Sequence, residues 1–171
     1  HRVCKMRQKL YHATSMKSIL ILHDIRSSQN VGSLFRTADA LGVTKIYLST
    51  ITPQPLDRFG RPNTQLIKTA LGAEQTVPWE VYKDISELLN TLRADGIQII
   101  AIEQSSQSVD YKTVLPKKQT IACILGNEVE GLSEDILTQV DTIAEISMKG
   151  SKESLNVAVA GGIALARVLN H

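Results

Sequence analysis

The stretch SILILHDIRSSQNVGSLFRTADALGVTKIYLS, residues 18–49, decides the fold. It opens on a short apolar run, 18–23, of the kind found in a strand buried on both faces. Val31, Leu34, Phe35, Ala38 and Leu41 then recur at the spacing of one helical face, so 30–41 reads as a helix with Gly42 as its stop. Residues 45–49 read as a second strand. A strand, a crossover helix and a second strand imply a parallel pair.

The same alternation extends to the rest of the chain. Residues 50–63 contain three prolines and read as a loop, 64–71 as a short helix before Gly72, and 79–82 as a strand. Ile85, Leu88, Leu89 and Leu92 mark an amphipathic helix closed by Asp95-Gly96. A strand follows at 97–102, a polar loop at 105–118 and another strand at 120–125. Residues 126–131 turn into a helix capped near Ser133, with Glu134 and Asp135 suiting its dipole. The last strand is expected at 142–147 and the last helix at 154–169. Ala158, Ala160, Gly161, Gly162 and Ala164 would let that helix approach a neighbour closely. The expectation is one α/β domain, a mainly parallel sheet with helices on both faces. Ligands of such sheets bind beyond the carboxyl ends of the strands, which here singles out 23–32, 126–131 and 148–156.

Composition narrows the function. With 43% apolar and 21% charged residues over 171, wholesale disorder is excluded. No run of about 18 apolar residues exists to span a membrane, and no secretory leader is visible, which favours an intracellular, cytoplasmic protein. The net charge of +2 announces no nucleic-acid partner, but its distribution is uneven. Residues 1–17 carry five basic side chains and no acid, whereas the other 14 basic residues face all 17 acids. The expected organisation is a basic arm over 1–17, able to bind phosphates, and a domain over 18–171. Cys4 and Cys123 form no disulfide or metal spacing, and Cys123, inside an apolar run, reads as a buried small hydrophobe. Dinucleotide, P-loop, zincin, C-x-x-C and G-x-S-x-G patterns are all missing. The four histidines make no metal cluster, and His23 reads as a structural imidazole.

Three segments stand out. Asn30 to Asp39 (NVGSLFRTAD) places Asn30 where an N-cap would stand and Arg36 off the apolar stripe. Residues 125–132 (LGNEVEGL) turn at Gly126 just past a buried strand. Residues 146–157 (ISMKGSKESLNV) hold Ser154, which reads as a helix cap, and Asn156, an early helical amide that needs a partner. Singly, each is compatible with an ordinary cap, turn or solvated charge. In this order and spacing they resemble the signature motifs of the SpoU (TrmH-like) RNA ribose 2′-O-methyltransferases of the SPOUT superfamily. The likeness runs from about residue 19 to 168 and includes KTALGAE at 68–74 and VPWE at 77–80. Two departures, Ser147 where the family often has proline and Ala158 where it often has serine, remove no side chain with an assigned role.

The resemblance implies a C-terminal deep trefoil knot, S-adenosyl-L-methionine as cofactor, an RNA substrate (tRNA or rRNA), a homodimer and no metal. By position, Gly126, Ile146 and Leu155 match backbone groups that hold the cofactor, and Ile102, Leu125 and Met148 would line its pocket. Arg36, Asn30, Glu128, Ser154 and Asn156 match the family's functional polar residues. Alignment of the ribose oxygen with the methyl sulfonium, and help with its proton, is the chemistry required. A guanidinium with a pKa above about 12 is a costly base, so Arg36 is expected to position phosphate and ribose at least as much as to take a proton. The competing readings are a catalytically silent RNA-binding homodimer and a base-nitrogen methyltransferase. The intact polar set argues against the first, and the S-L-N motif with Arg36 against the second.

Overall fold

The computed structural model describes residues 16–169. Seven strands form one sheet in the order β3-β2-β1-β6-β4-β7-β5, every neighbouring pair parallel. They are β1 (Lys17–Leu22), β2 (Lys45–Ser49), β3 (Trp79–Tyr82), β4 (Gln98–Ile102), β5 (Val109–Asp110), β6 (Thr120–Leu125) and β7 (Thr142–Glu145). The helices are α1 (Ser28–Ala40), α2 (Thr64–Ala70), α3 (Ala73–Thr76), α4 (Ile85–Ala94), α5 (Glu134–Leu137) and α6 (Val157–Val168). The expected α/β architecture is therefore present.

Alternation along the strands feeds two cores. Leu20, Leu22, Ile46, Leu48, Ile100, Cys123 and Leu125 face α1, α2 and α6, while Ile19, Ile21, Ile99, Ala101 and Ile124 face α4 and α5. Both faces being covered explains why the strands read as apolar runs rather than as alternating patterns. Each fully buried Leu or Ile contributes roughly 1.5–3 kcal/mol of transfer free energy. Cys123 is buried at 0% exposure, and burial pushes its thiol up to about 12, so it is a packing residue. Cys4 and the rest of the basic segment before residue 16 lie outside the described residues, and Lys17 belongs to β1 rather than to an arm.

Close packing explains two glycines. A Cβ on Gly161 would meet Leu125 and Leu34 side chains at 2.7 Å, so α6 lies tightly against β6 and α1, as its small residues suggested. A Cβ on Gly32 would overlap the Leu66 carbonyl and the Thr69 hydroxyl where α1 crosses α2.

Several boundaries differ from the sequence reading. The polar loop 105–118 contains β5 and a 3₁₀ turn at Tyr111–Thr113. A two-residue exposed edge strand leaves no periodic signal. The last strand stops at Glu145, and the last helix starts at Val157 instead of 154. α5 follows Ser133, whose side chain makes no cap bond. Among the described residues no helix is long and apolar enough to cross a membrane.

Candidate functional site

A cavity of about 430 Å³ opens beyond the carboxyl ends of β4, β6 and β7. Its apolar walls are Ile102, Leu125, Ile146, Met148 and Leu155, and Gly126 contributes main chain. Glu103, Gln104, Asn127, Glu128, Ser154 and Asn156 also line it. All six residues expected to hold a cofactor thus share one cavity, together with three of the five polar candidates. The size suits a small organic ligand. Among the described residues the main chain of Ile146, Met148 and Leu155 makes no hydrogen bond, so polar groups beside an apolar wall are available to a ligand.

The three motifs meet in one polar chain. The Asn156 amide donates to Asn30 Oδ1 at 3.0 Å, and Asn30 Nδ2 donates to Glu128 Oε1 at 3.0 Å. Glu128 also accepts from the main-chain N–H of Ser27 at 3.1 Å and of Arg26 at 3.0 Å. Each amide orientation is fixed. Asn156 Oδ1 accepts from Ala158 and Val159 N–H at the start of α6, which turns its NH₂ toward Asn30. Asn30 must then present oxygen to Asn156 and nitrogen to the carboxylate. Burial would raise the Glu128 carboxyl, but the N–H groups of Arg26, Asn30 and Ser27 outweigh it and hold the group below its ordinary range. Glu128 is therefore an anion at neutral pH.

Two caps differ from the sequence reading. Ser27, not Asn30, caps α1, its hydroxyl accepting from Asn30 N–H at 3.2 Å, and Asn30 sits inside the first turn with its side chain free for Glu128. Asn156, not Ser154, caps α6. Residues 27–30 and 154–156 each hold several cap-forming side chains, and composition does not choose among them. The partner sought for the Asn156 amide is Asn30. Ser154 is exposed and lines the cavity.

Arg36 is not brought to the cavity. Six residues at about 100° each set it roughly 120° around α1 from Asn30. It is exposed and makes no hydrogen bond or ion pair among the described residues. His23 is structural, as read from its position. Its Nδ1 lies 2.6 Å from the Tyr82 hydroxyl, and burial lowers the imidazole pKa against the pull of Asp24.

Three supporting residues escaped sequence reasoning. Asn127, only 8% exposed, donates to the Asp24 carbonyl at 2.8 Å and accepts from Val129 and Glu130 N–H. Glu103 accepts from Leu132 N–H at 3.0 Å. Gln104 donates to the Glu153 carbonyl at 2.9 Å. Asn127 lies inside the LGNEVEGL motif with no role given to it there, and for Glu103 and Gln104 the only signal was polarity immediately after an apolar strand. Gly126 has a reason beyond ligand approach. A Cβ there would stand 2.6 Å from the Gly131 carbonyl carbon and 2.8 Å from Leu132, inside its own loop. Bulk at 126 therefore strikes that loop before it reaches the cavity.

A parallel α/β domain with a ligand cavity at its strand ends, joined to α1 by a carboxylate–amide–amide chain, defines the class. The chain belongs to the SpoU rRNA methylase family, whose model matches residues 17–166. It is 34% identical over 148 residues to the 23S rRNA (guanosine-2′-O-)-methyltransferase RlmB of Neisseria meningitidis, covering 86% of this chain and 56% of that protein. An uncharacterized tRNA/rRNA methyltransferase of Borreliella burgdorferi is 31% identical, covering 88% and 62%. An AdoMet-bound rRNA methyltransferase from Sinorhizobium meliloti superposes with a TM-score of 0.81 at 28% identity, covering 91% of this chain and 57% of that one. The TrmH/SpoU tRNA modifying enzyme of A. aeolicus gives 0.77 at 26% identity, covering 99% and 84%. The chain spans little more than half the length of the curated relatives it matches.

Proposed function

We propose that this domain methylates a ribose 2′-hydroxyl of RNA, rRNA or tRNA, with S-adenosyl-L-methionine as the donor. The observation that carries it is the convergence of Glu128, Asn30 and Asn156 on the rim of the one cavity that gathers all six expected cofactor residues. The cavity fits such a donor: apolar walls at Ile102, Leu125 and Met148 suit a flat base, and main-chain groups at Ile146 and Leu155, unbonded among the described residues, suit its polar edge. The donor supplies an activated methyl group.

This chain's residues do the rest. Met148, Leu155 and Ile102 would cover the bound donor with apolar surface. Ser154 and Asn156, which line the cavity, would form the wall between donor and ribose. Asn30 and Glu128 lock the first turn of α1 to that wall, so the RNA-facing helix and the cavity keep one geometry. Arg36, outside the cavity and without a partner among the described residues, meets the RNA phosphate and orients the ribose. Glu128 is the anionic anchor of that lock; an anion near the hydroxyl raises its pKa, so the proton leaves to solvent as the O–CH₃ bond forms and not ahead of it. No metal takes part in this scheme.

We further infer a cytoplasmic homodimer. Val159 and Ile163 on α6 are 50% and 37% exposed, an apolar stripe suited to a second copy. A knotted path is supported by the strand order, in which β6 and β7 enter between strands formed earlier in the chain. Incubation with labelled donor and total RNA, followed by nucleoside mapping, tests the activity. 2′-O-methylated nucleosides are expected, and base-methylated products or none would contradict the reading.

A further inference from the structure

The loop after β2 holds a second built feature. Leu56 and Pro62 pair as an isolated antiparallel bridge, and Asp57 N–H donates to the Arg61 carbonyl at 2.9 Å. The Asp57 carboxylate gathers the turn: Oδ1 accepts from Phe59 N–H at 2.8 Å and Arg61 N–H at 2.9 Å, and Oδ2 from Arg61 Nε at 2.7 Å. The Arg61 N–H leads the contacts that hold the Asp57 carboxyl below its ordinary range. Phe59 is thereby presented at the tip with 66% of its surface exposed. The Arg58 guanidinium stands 4.7 Å from its ring centroid and that of Arg61 5.0 Å.

The hairpin adjoins the methyl-transfer site. Its closing residue, Asn63, donates to Ser28 Oγ at 3.2 Å, one residue from Ser27, whose N–H meets Glu128. It leaves the carboxyl end of β2, on the ligand-binding edge of the sheet. An exposed ring with two guanidiniums beside it, and two cations against one acid, has the composition of a platform for unpaired bases. A protein partner would need a contiguous apolar patch of several hundred Å², whereas the neighbours of this ring are charged.

We propose that the hairpin 56–62 is a stacking platform on which Phe59, with Arg58 and Arg61, holds an unpaired RNA nucleotide beside the methyl-transfer cavity. This rests on the reading of the domain as an RNA enzyme.

The test is fluorescence anisotropy of the full chain with a fluorescein-labelled twelve-nucleotide single-stranded RNA and with the same RNA annealed to its complement. Phe59→Ala should weaken single-strand binding by about five- to over a hundredfold, the range for one base–aromatic stack, and duplex binding by less than about twofold. Phe59→Trp should restore single-strand binding. Unchanged S-adenosylhomocysteine titration in both variants shows an intact cavity. Equal losses on both RNAs, or none, would overturn the platform. A changed sedimentation mass without changed RNA affinity would make the hairpin a protein interface and also overturn it. Selective loss of single-strand binding in Phe59→Ala, with a wild-type protein that transfers no methyl group, would contradict the proposed activity and leave the platform standing.

Discussion

Asn156 does two jobs with one amide. Its oxygen caps α6, and its nitrogen ties that cap to Asn30. Asn156→Ala should cost about 0.5–2 kcal/mol of stability through the lost cap. Asn156→Ser should recover most of that in chemical denaturation while leaving methyl transfer impaired, because serine restores the cap acceptor without reaching Asn30. Equal rescue of both would reduce Asn156 to a cap. Glu128 adds a pH signature. Its folded pKa lies below the ordinary 4.5, so its stabilisation is complete above that value and is lost as pH falls through the folded one. Glu128→Gln sets an amide NH₂ against N–H donors that the carboxylate now accepts. The variant should unfold at lower denaturant than wild type at neutral pH, by about 1 kcal/mol given its exposure. The gap should narrow in acid, and a gap that stays constant down to the lowest accessible pH would show that the charge is irrelevant.

At the scale of elements, the loop 126–131 forms one wall of the cavity. Gly126→Val drives a side chain into Gly131 and Leu132, an overpacking that should cost about 1–3 kcal/mol. Both denaturation midpoint and S-adenosylhomocysteine affinity should fall, and unchanged stability would contradict the packing argument. The strands and long helices were legible because burial on both faces leaves apolar runs, and crossover helices leave a 3.6-residue stripe. β2, β3 and β6 fall exactly where the sequence puts them. The two-residue β5 and the starts of α1 and α6 were not legible. At those starts neighbouring polar residues compete for one cap, and only tertiary partners such as Glu128 select the winner. The motifs likewise showed which side chains matter but not that Asn30 and Asn156 bond across 126 residues of chain.

For the whole molecule, the separation of Arg36 from the cavity is the informative fact. It fits the proposal in which the cavity takes the donor, α1's exposed face meets RNA and the α6 stripe meets a second copy. Sedimentation at micromolar concentration should give about twice the 18.8 kDa chain mass. A monomer that still methylates RNA would contradict the dimer.

The division of labour between Arg36 and the cavity is tested most directly by single-turnover methylation of the target RNA alongside S-adenosylhomocysteine titration. Arg36→Lys keeps the charge but loses the planar fork. Loss of one charge-assisted contact of roughly 1.5–3 kcal/mol corresponds to a rate about ten- to over a hundredfold lower. Arg36→Ala should fall further, while both variants bind S-adenosylhomocysteine as wild type does. Wild-type turnover in Arg36→Ala, or loss of S-adenosylhomocysteine binding in either variant, would contradict the account.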